Sequence, residues 1–150
     1  MEMGPNDVLY FCDTGNHRVR AYDVESDTVT TVAGSGPAEY DPDHFKGGYE
    51  GDGGPATEAL LRSPTDVAVR AEDGALFIAD NKNSCVRMVD KDGNIKTVAG
   101  TCGKRGDDGD GGPATKALLN QPYGVTLGPE GNLYIADTHN HRIRVVYGVE

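Results

Sequence analysis

Gly51–Thr57 and Gly109–Thr115 both read Gly-Asp-Gly-Gly-Pro-Ala-Thr. An identical heptapeptide does not recur within 150 residues by accident, and one offset also relates Pro64 to Pro122 and Val67 to Val125. The chain is therefore an array of one repeated unit, which restricts it to folds in which neighbouring copies bury each other's faces. Once the heptapeptide sets the register, Val8–Asp23, Ala75–Asp90 and Asn132–Tyr147 align. Asp13, Asp80 and Asp137 share one place in the unit, and Arg20, Arg87 and Arg144 share another, seven positions later. Thr-Val-Ala-Gly follows the first two copies, at Thr31–Gly34 and Thr97–Gly100. The first unit is longer, and its extra residues all lie between Gly34 and Gly51 in a polar, turn-rich stretch suited to a surface loop.

Within each unit the apolar residues alternate or form short runs bounded by Gly, Asn and Asp, the pattern of strands. The middle copy predicts strands at Asp66–Arg70, Leu76–Ala79, Val86–Val89 and Ile95–Ala99. Glu72-Asp73-Gly74 and Asp92-Gly93-Asn94 supply hairpin turns. Ala56–Leu61 and Ala114–Leu119 each allow one or two helical turns after a proline. Tandem four-stranded units predict an all-β, partial β-propeller with antiparallel blades. A β-sandwich has no need of the same loop twice, and a β-helix uses shorter rungs. The expected layout over 1–150 is a partial blade at 1–34, an insertion at 35–50, a blade at 51–100 and a partial blade at 109–150, about two and a half blades. Aligning Met1–Asn6 with Thr126–Gly131 leaves most of the first unit's innermost strand missing, for strand counts of three, four and three. A closed ring takes roughly four to eight blades. The chain is thus expected either to be part of a longer propeller or to self-associate.

The formal net charge is −10, which argues against nucleic acid, whose binding draws on Lys and Arg. No apolar run is long enough for a membrane-spanning helix, and the first residues lack the basic and apolar regions of a secretory signal. Cys12, Cys85 and Cys102 are odd in number and none recurs between units. No disulfide framework is expected, and free thiols lean toward a reducing compartment, although localisation stays open.

The run Gly131–Val146, GNLYIADTHNHRIRVV, preceded by Gln121–Glu130, resembles the NHL repeat. Thr-Val-Ala-Gly followed by Gly-Asp-Gly-Gly-Pro-Ala-Thr resembles the form found in bacterial, algal and plant NHL proteins, and is similar to the teneurin propeller. The resemblance implies a propeller, commonly six-bladed, that serves as a platform for proteins or other ligands. Relatives of the same architecture include RNA-binding proteins and enzymes, among them an amidating lyase and metal-dependent lactonases.

The candidate sites are few. Asp107, Asp108 and Asp110, with Asp52 in the matching loop, could offer oxygen ligands to a hard cation such as calcium. The competing reading makes Asp52 and Asp110 caps of the short helices or acceptors of loop N–H groups, and only that aspartate recurs in both loops. His17 and His141 are equivalent, with Ser84 between them in the series; His139 is close by and His44 lies in the insertion. Structural or exposed roles suit them better than a zinc site, whose ligands must converge. The hairpin between Asp13 and Arg20, and between their equivalents, predicts charge-assisted links within or between blades. The strand-end aspartates are expected to accept N–H groups from the loop that follows. No catalytic constellation is evident. The expected function is a non-catalytic binding or scaffold module without cofactor, for protein or small ligands, the alternative being a fragment of a metal-dependent lyase or lactonase.

Overall fold

The computed structural model describes residues 1–36 and 48–149. Among these residues, eleven strands form three antiparallel sheets. The first holds β1 (Glu2–Met3), β2 (Val8–Asp13), β3 (Arg18–Asp23) and β4 (Thr28–Ala33). The second holds β5 (Asp66–Val69), β6 (Leu76–Asp80), β7 (Cys85–Val89) and β8 (Ile95–Ala99). The third holds β9 (Gly124–Leu127), β10 (Leu133–Asp137) and β11 (Arg142–Val146), with β11 at its edge. Each sheet is a meander in chain order, as short hairpin turns require. The architecture is all-β, as the period-two pattern implies, and the sheets are propeller blades. The blade-1 insertion and His44 lie largely or wholly outside the described residues.

Two details of the sequence reading are corrected. The first sheet has four strands, because Glu2 and Met3 pair with Tyr10 and Leu9. The register of the opening is also one residue away from the expected alignment. Gly4 N–H donates to the Val8 carbonyl (2.8 Å), as Gly128 N–H does to that of Asn132 (2.9 Å), so Gly4 matches Gly128. Both glycines leave room for a ring, since an added Cβ would lie 2.6 Å from Tyr10 and 2.7 Å from Tyr134. At the same place in the middle blade, Arg70 lies over the Phe77 ring.

Strand alternation assigns each blade's two faces to different neighbours. Leu76, Ile78 and Val89 pack toward the first blade against Val19, Ala33 and Leu61. Phe77, Val86 and Met88 pack the other way, against Leu133, Ile135 and Leu119. The core is therefore two layers, each lying between successive blades.

The heptapeptides are the connectors. The first runs antiparallel beside β8: Gly53 N–H donates to the Ile95 carbonyl (2.8 Å), Ile95 N–H to that of Gly54 (3.0 Å), and Ala56 N–H to that of Gly93 (2.8 Å). On its other side, Gly34 N–H at the end of the first blade donates to the Ala56 carbonyl (2.9 Å). The connector thus joins the outer edges of two blades. Gly51 is required there: its φ is +98°, and a Cβ would fall 2.7 Å from the Ala59 Cα. The expected helices reduce to single 3-10 turns at Ala56–Glu58 and Ala114–Lys116, and neither has a side-chain cap.

Candidate functional site

The recurring polar residues gather where one blade meets the next. After each middle strand comes a tight turn in which Asn16, Asn83 and Asn140 donate to the strand-end carboxylates of Asp13 (2.9 Å), Asp80 (2.8 Å) and Asp137 (2.8 Å). Asn83 also donates to the Gly48 carbonyl, and Asn140 to that of Gly106 (2.6 Å). The following turn thus supplies a side-chain amide to each carboxylate, while the backbone N–H donors to Asp80 and Asp137 come from the segment arriving from the previous blade. Arg62 N–H donates to Asp80 (2.8 Å) and Asn120 N–H to Asp137 (2.8 Å). This asparagine series was legible in the sequence, three residues after each aspartate.

Each turn closes on a left-handed residue, His17 (φ 53°), Ser84 (φ 56°) or His141 (φ 54°). The buried His17 Nδ1 accepts the Ser63 N–H of the next blade (2.9 Å). Ser84 Oγ accepts the equivalent Gln121 N–H (3.2 Å). A second link runs alongside, with Thr14 donating to the Pro64 carbonyl (2.7 Å) and Asn81 to that of Pro122 (3.0 Å). The third blade carries Thr138 and His141 at these places, and both are exposed. His139 is exposed as well.

The arginines have a different principal partner from the one expected. In the first blade Arg20 does bind Asp13, seven residues back (Nη2 to Oδ2, 3.0 Å). Arg87 instead sends Nη2 (2.6 Å) and Nε (3.1 Å) to Asp52 of the heptapeptide, and lies 3.8 Å from Asp80. Arg144 repeats this with Asp110 (2.6 and 2.9 Å), 3.4 Å from Asp137. Arg87 and Arg144 also donate to connector carbonyls, Leu60 for Arg87 (2.7 Å) and Leu118 for Arg144 (2.7 Å). Asp52 and Asp110 are thus arginine partners, not helix caps. Because the Asp52 carboxylate takes the closer contacts, Asp80 is left in the dry interior, and burial pushes its carboxyl up to about 7 against the pull of Asn83, Arg62 and Arg87.

In the acidic loop, Asp107 approaches Arg142 (3.9 Å), while Asp108 offers its carbonyl to Arg144 (3.3 Å) and to Leu118 N–H (2.9 Å). Among the described residues no three His, Cys, Asp or Glu side chains are grouped as metal ligands.

The cysteine reading is overturned. Cys85 and Cys102 form a disulfide. Cys85 holds the place of Arg18, whose Nη2 donates to the Ser35 carbonyl just past Gly34 (2.7 Å). The disulfide makes the same tie covalently, from the start of β7 to the loop just past Gly100. No sequence repeat marked it because arginine does this work in another blade. Two bonded thiols also remove the ground for expecting a reducing compartment. Cys12 remains free, and burial pushes its thiol up to about 12, which disfavours the thiolate. With the paired cysteines 17 positions apart in sequence, Cys102→Ser is expected to lower the unfolding free energy by about 2–3 kcal/mol, as measured by urea denaturation.

The repeat geometry agrees with the comparisons to known proteins. The family model "Teneurin NHL domain" matches residues 25–107, and the model "NHL repeat" matches residues 119–146. The chain belongs to the NHL-repeat family. It is 31% identical to NHL repeat-containing protein 2 of Bos taurus over 95% of its own length, and covers 19% of that protein. It is also similar to a solved structure of unknown function from Bacteroides thetaiotaomicron (TM-score 0.73, 26% identity), covering 93% of this chain and 32% of that one. A Bacteroides thetaiotaomicron auxiliary nutrient binding protein shares the fold (TM-score 0.66, 23% identity, 92% and 34% covered). The NHL chain thus spans about a fifth to a third of the length of these three proteins. Among the described residues no helix is long and apolar enough to cross a membrane.

Proposed function

We propose that this NHL segment is a non-catalytic binding module that engages protein through the exposed face of its third blade. One observation carries the reading. Residues that join blades elsewhere recur on that face with nothing over them. Ile143 is 70% exposed where Val19 and Val86 are fully buried, and Tyr134 is 39% exposed where Phe77 is fully buried. His141 and Thr138 repeat the two residues that bind the next blade's backbone in the first blade. An apolar patch ringed by such groups suits another blade-like surface, a second copy of the chain included. The nutrient-binding neighbour shares the propeller platform and so offers a precedent for binding on this fold.

The test is sedimentation velocity over a range of concentrations. The wild-type chain is expected to self-associate through this face, and Ile143→Asp to remain monomeric. A wild-type chain that stays strictly monomeric and gives well-dispersed NMR spectra would overturn the proposal. Stoichiometric zinc or calcium in purified protein, lost on replacing His139 or His141, would favour the lyase or lactonase alternative.

A further inference from the structure

The Cys85–Cys102 bond joins two sulfurs in unlike surroundings. Cys85 is fully buried at the start of β7, opposite Asp80 in the ladder. Cys102 is part-exposed in the loop that leaves β8. Thr97 Oγ1 lies 3.3 Å from Cys102 Sγ, but its hydrogen goes to Asp52 Oδ2 (2.6 Å), and the other oxygen of that carboxylate binds Arg87. The network of Asp52, Thr97 and Arg87 is thus complete without the disulfide. Residues 101–106 hold two exposed cations, Lys104 and Arg105, and no acid, which favours the approach of an anionic thiolate.

Apart from the disulfide, Gly103 ties this loop to the middle blade, donating its N–H to the Asn83 carbonyl (2.8 Å). Gly103 also lies against the Tyr49 ring, which an added Cβ would approach to 2.8 Å. Asn83 in turn donates to the Gly48 carbonyl beside that tyrosine. The loop therefore covers the point where the connectors on either side of the middle blade meet. The first blade shows that the tie need not be covalent. There Arg18 reaches the Ser35 carbonyl, and β3 and β4 pair in the same register, with Ala33 on Val19 and Thr31 on Arg20. A reduced Cys85 is too short to make that contact, so opening the bond removes the tie and leaves the strand pairing.

We propose that Cys102 is a thiol-exchange site, at which an external low-molecular-weight thiol opens the disulfide and releases the 101–106 loop while the blades stay paired. The attacking thiolate bonds to Cys102 Sγ, the bond to Cys85 breaks, and its electron pair leaves on Cys85 Sγ, which takes up a proton. A second thiolate then removes the first as a disulfide and leaves Cys102 as a thiol. Two external thiols are oxidised and two cysteines reduced. The mixed disulfide forms on Cys102 because solvent does not reach the other sulfur. Burial disfavours the Cys12 thiolate, so that residue supplies no competing nucleophile.

The test reduces the folded chain with dithiothreitol in the presence of iodoacetamide and maps the label by peptide mass spectrometry. Cys102 is expected to take label about tenfold or more faster than Cys85, and the two should react at similar rates only in urea. With oxidised glutathione, Cys85→Ser should gain one glutathione, on Cys102, and Cys102→Ser should gain none. Amide NMR of the reduced wild-type chain should show shifts at 48–52, 83–86 and 97–106, with the other sheet resonances in place. The wild-type measurements need neither variant to fold. Thiols that appear only at urea concentrations that unfold the chain, label reaching Cys85 as fast as Cys102, or loss of spectral dispersion on reduction would each overturn the proposal.

Discussion

Arg87→Ala is expected to lower the unfolding free energy by about 3–5 kcal/mol, the range for breaking a buried ion pair from one side. Arg20→Ala at the same repeat position should cost about 1 kcal/mol or less. The two side chains differ in what surrounds them. Arg87 is fully buried and Arg20 is 27% exposed. Arg87 holds the connector through Asp52, the Leu60 carbonyl and the Glu50 carbonyl (3.3 Å), so truncation takes the guanidinium donor from the Leu60 carbonyl and opens a cavity, while the Glu50 carbonyl keeps the Leu60 N–H (3.0 Å). Among the described residues Arg20 bonds only side chains of its own blade, Asp13 and Thr31 (3.2 Å). Arg87→Lys should recover only part of the loss, because one ammonium cannot reproduce the planar fork that spans those partners. Urea denaturation followed by circular dichroism reads all three variants. A cost below 1 kcal/mol for Arg87→Ala would rule out the buried latch.

That contrast also marks how far the sequence could be read. Blade architecture follows from the repeats, since alternation, turn glycines and the shared heptapeptide all favour the same meander. The aspartates and arginines were visible as a series for the same reason. Their partners were not, because hairpin adjacency suggests the aspartate seven residues back, whereas Asp52 reaches Arg87 from 35 residues away through a connector folded over the blade's edge. The heptapeptide held a clue. Its aspartate occurs ahead of the second and third arginines and not ahead of the first, which is the one that turns to its strand-end partner. The Cys85–Cys102 bond was hidden for a related reason: it replaces the contact from Arg18 to the Ser35 carbonyl, so the function repeats while the residue type does not.

Phe77→Ala should cost about 3–5 kcal/mol, and Tyr134→Ala less than about 1 kcal/mol at concentrations where the chain sediments as a monomer. The two rings hold one position in successive blades, between equivalent strands. Phe77 is fully buried in the layer formed with Leu133 and Ile135, beneath Arg70. Tyr134 stands on the outward face of the third blade, 39% exposed. The difference in cost therefore measures what a following blade contributes at this position, with strand, register and backbone held constant. Where the third face is covered by another copy, Tyr134 gains a neighbour that Phe77 already has, and the cost of Tyr134→Ala should rise with protein concentration while that of Phe77→Ala does not. Equal costs in dilute monomer would mean that the ring's own blade supplies the stabilisation. Packing between blades would then not be the main source of order in this array.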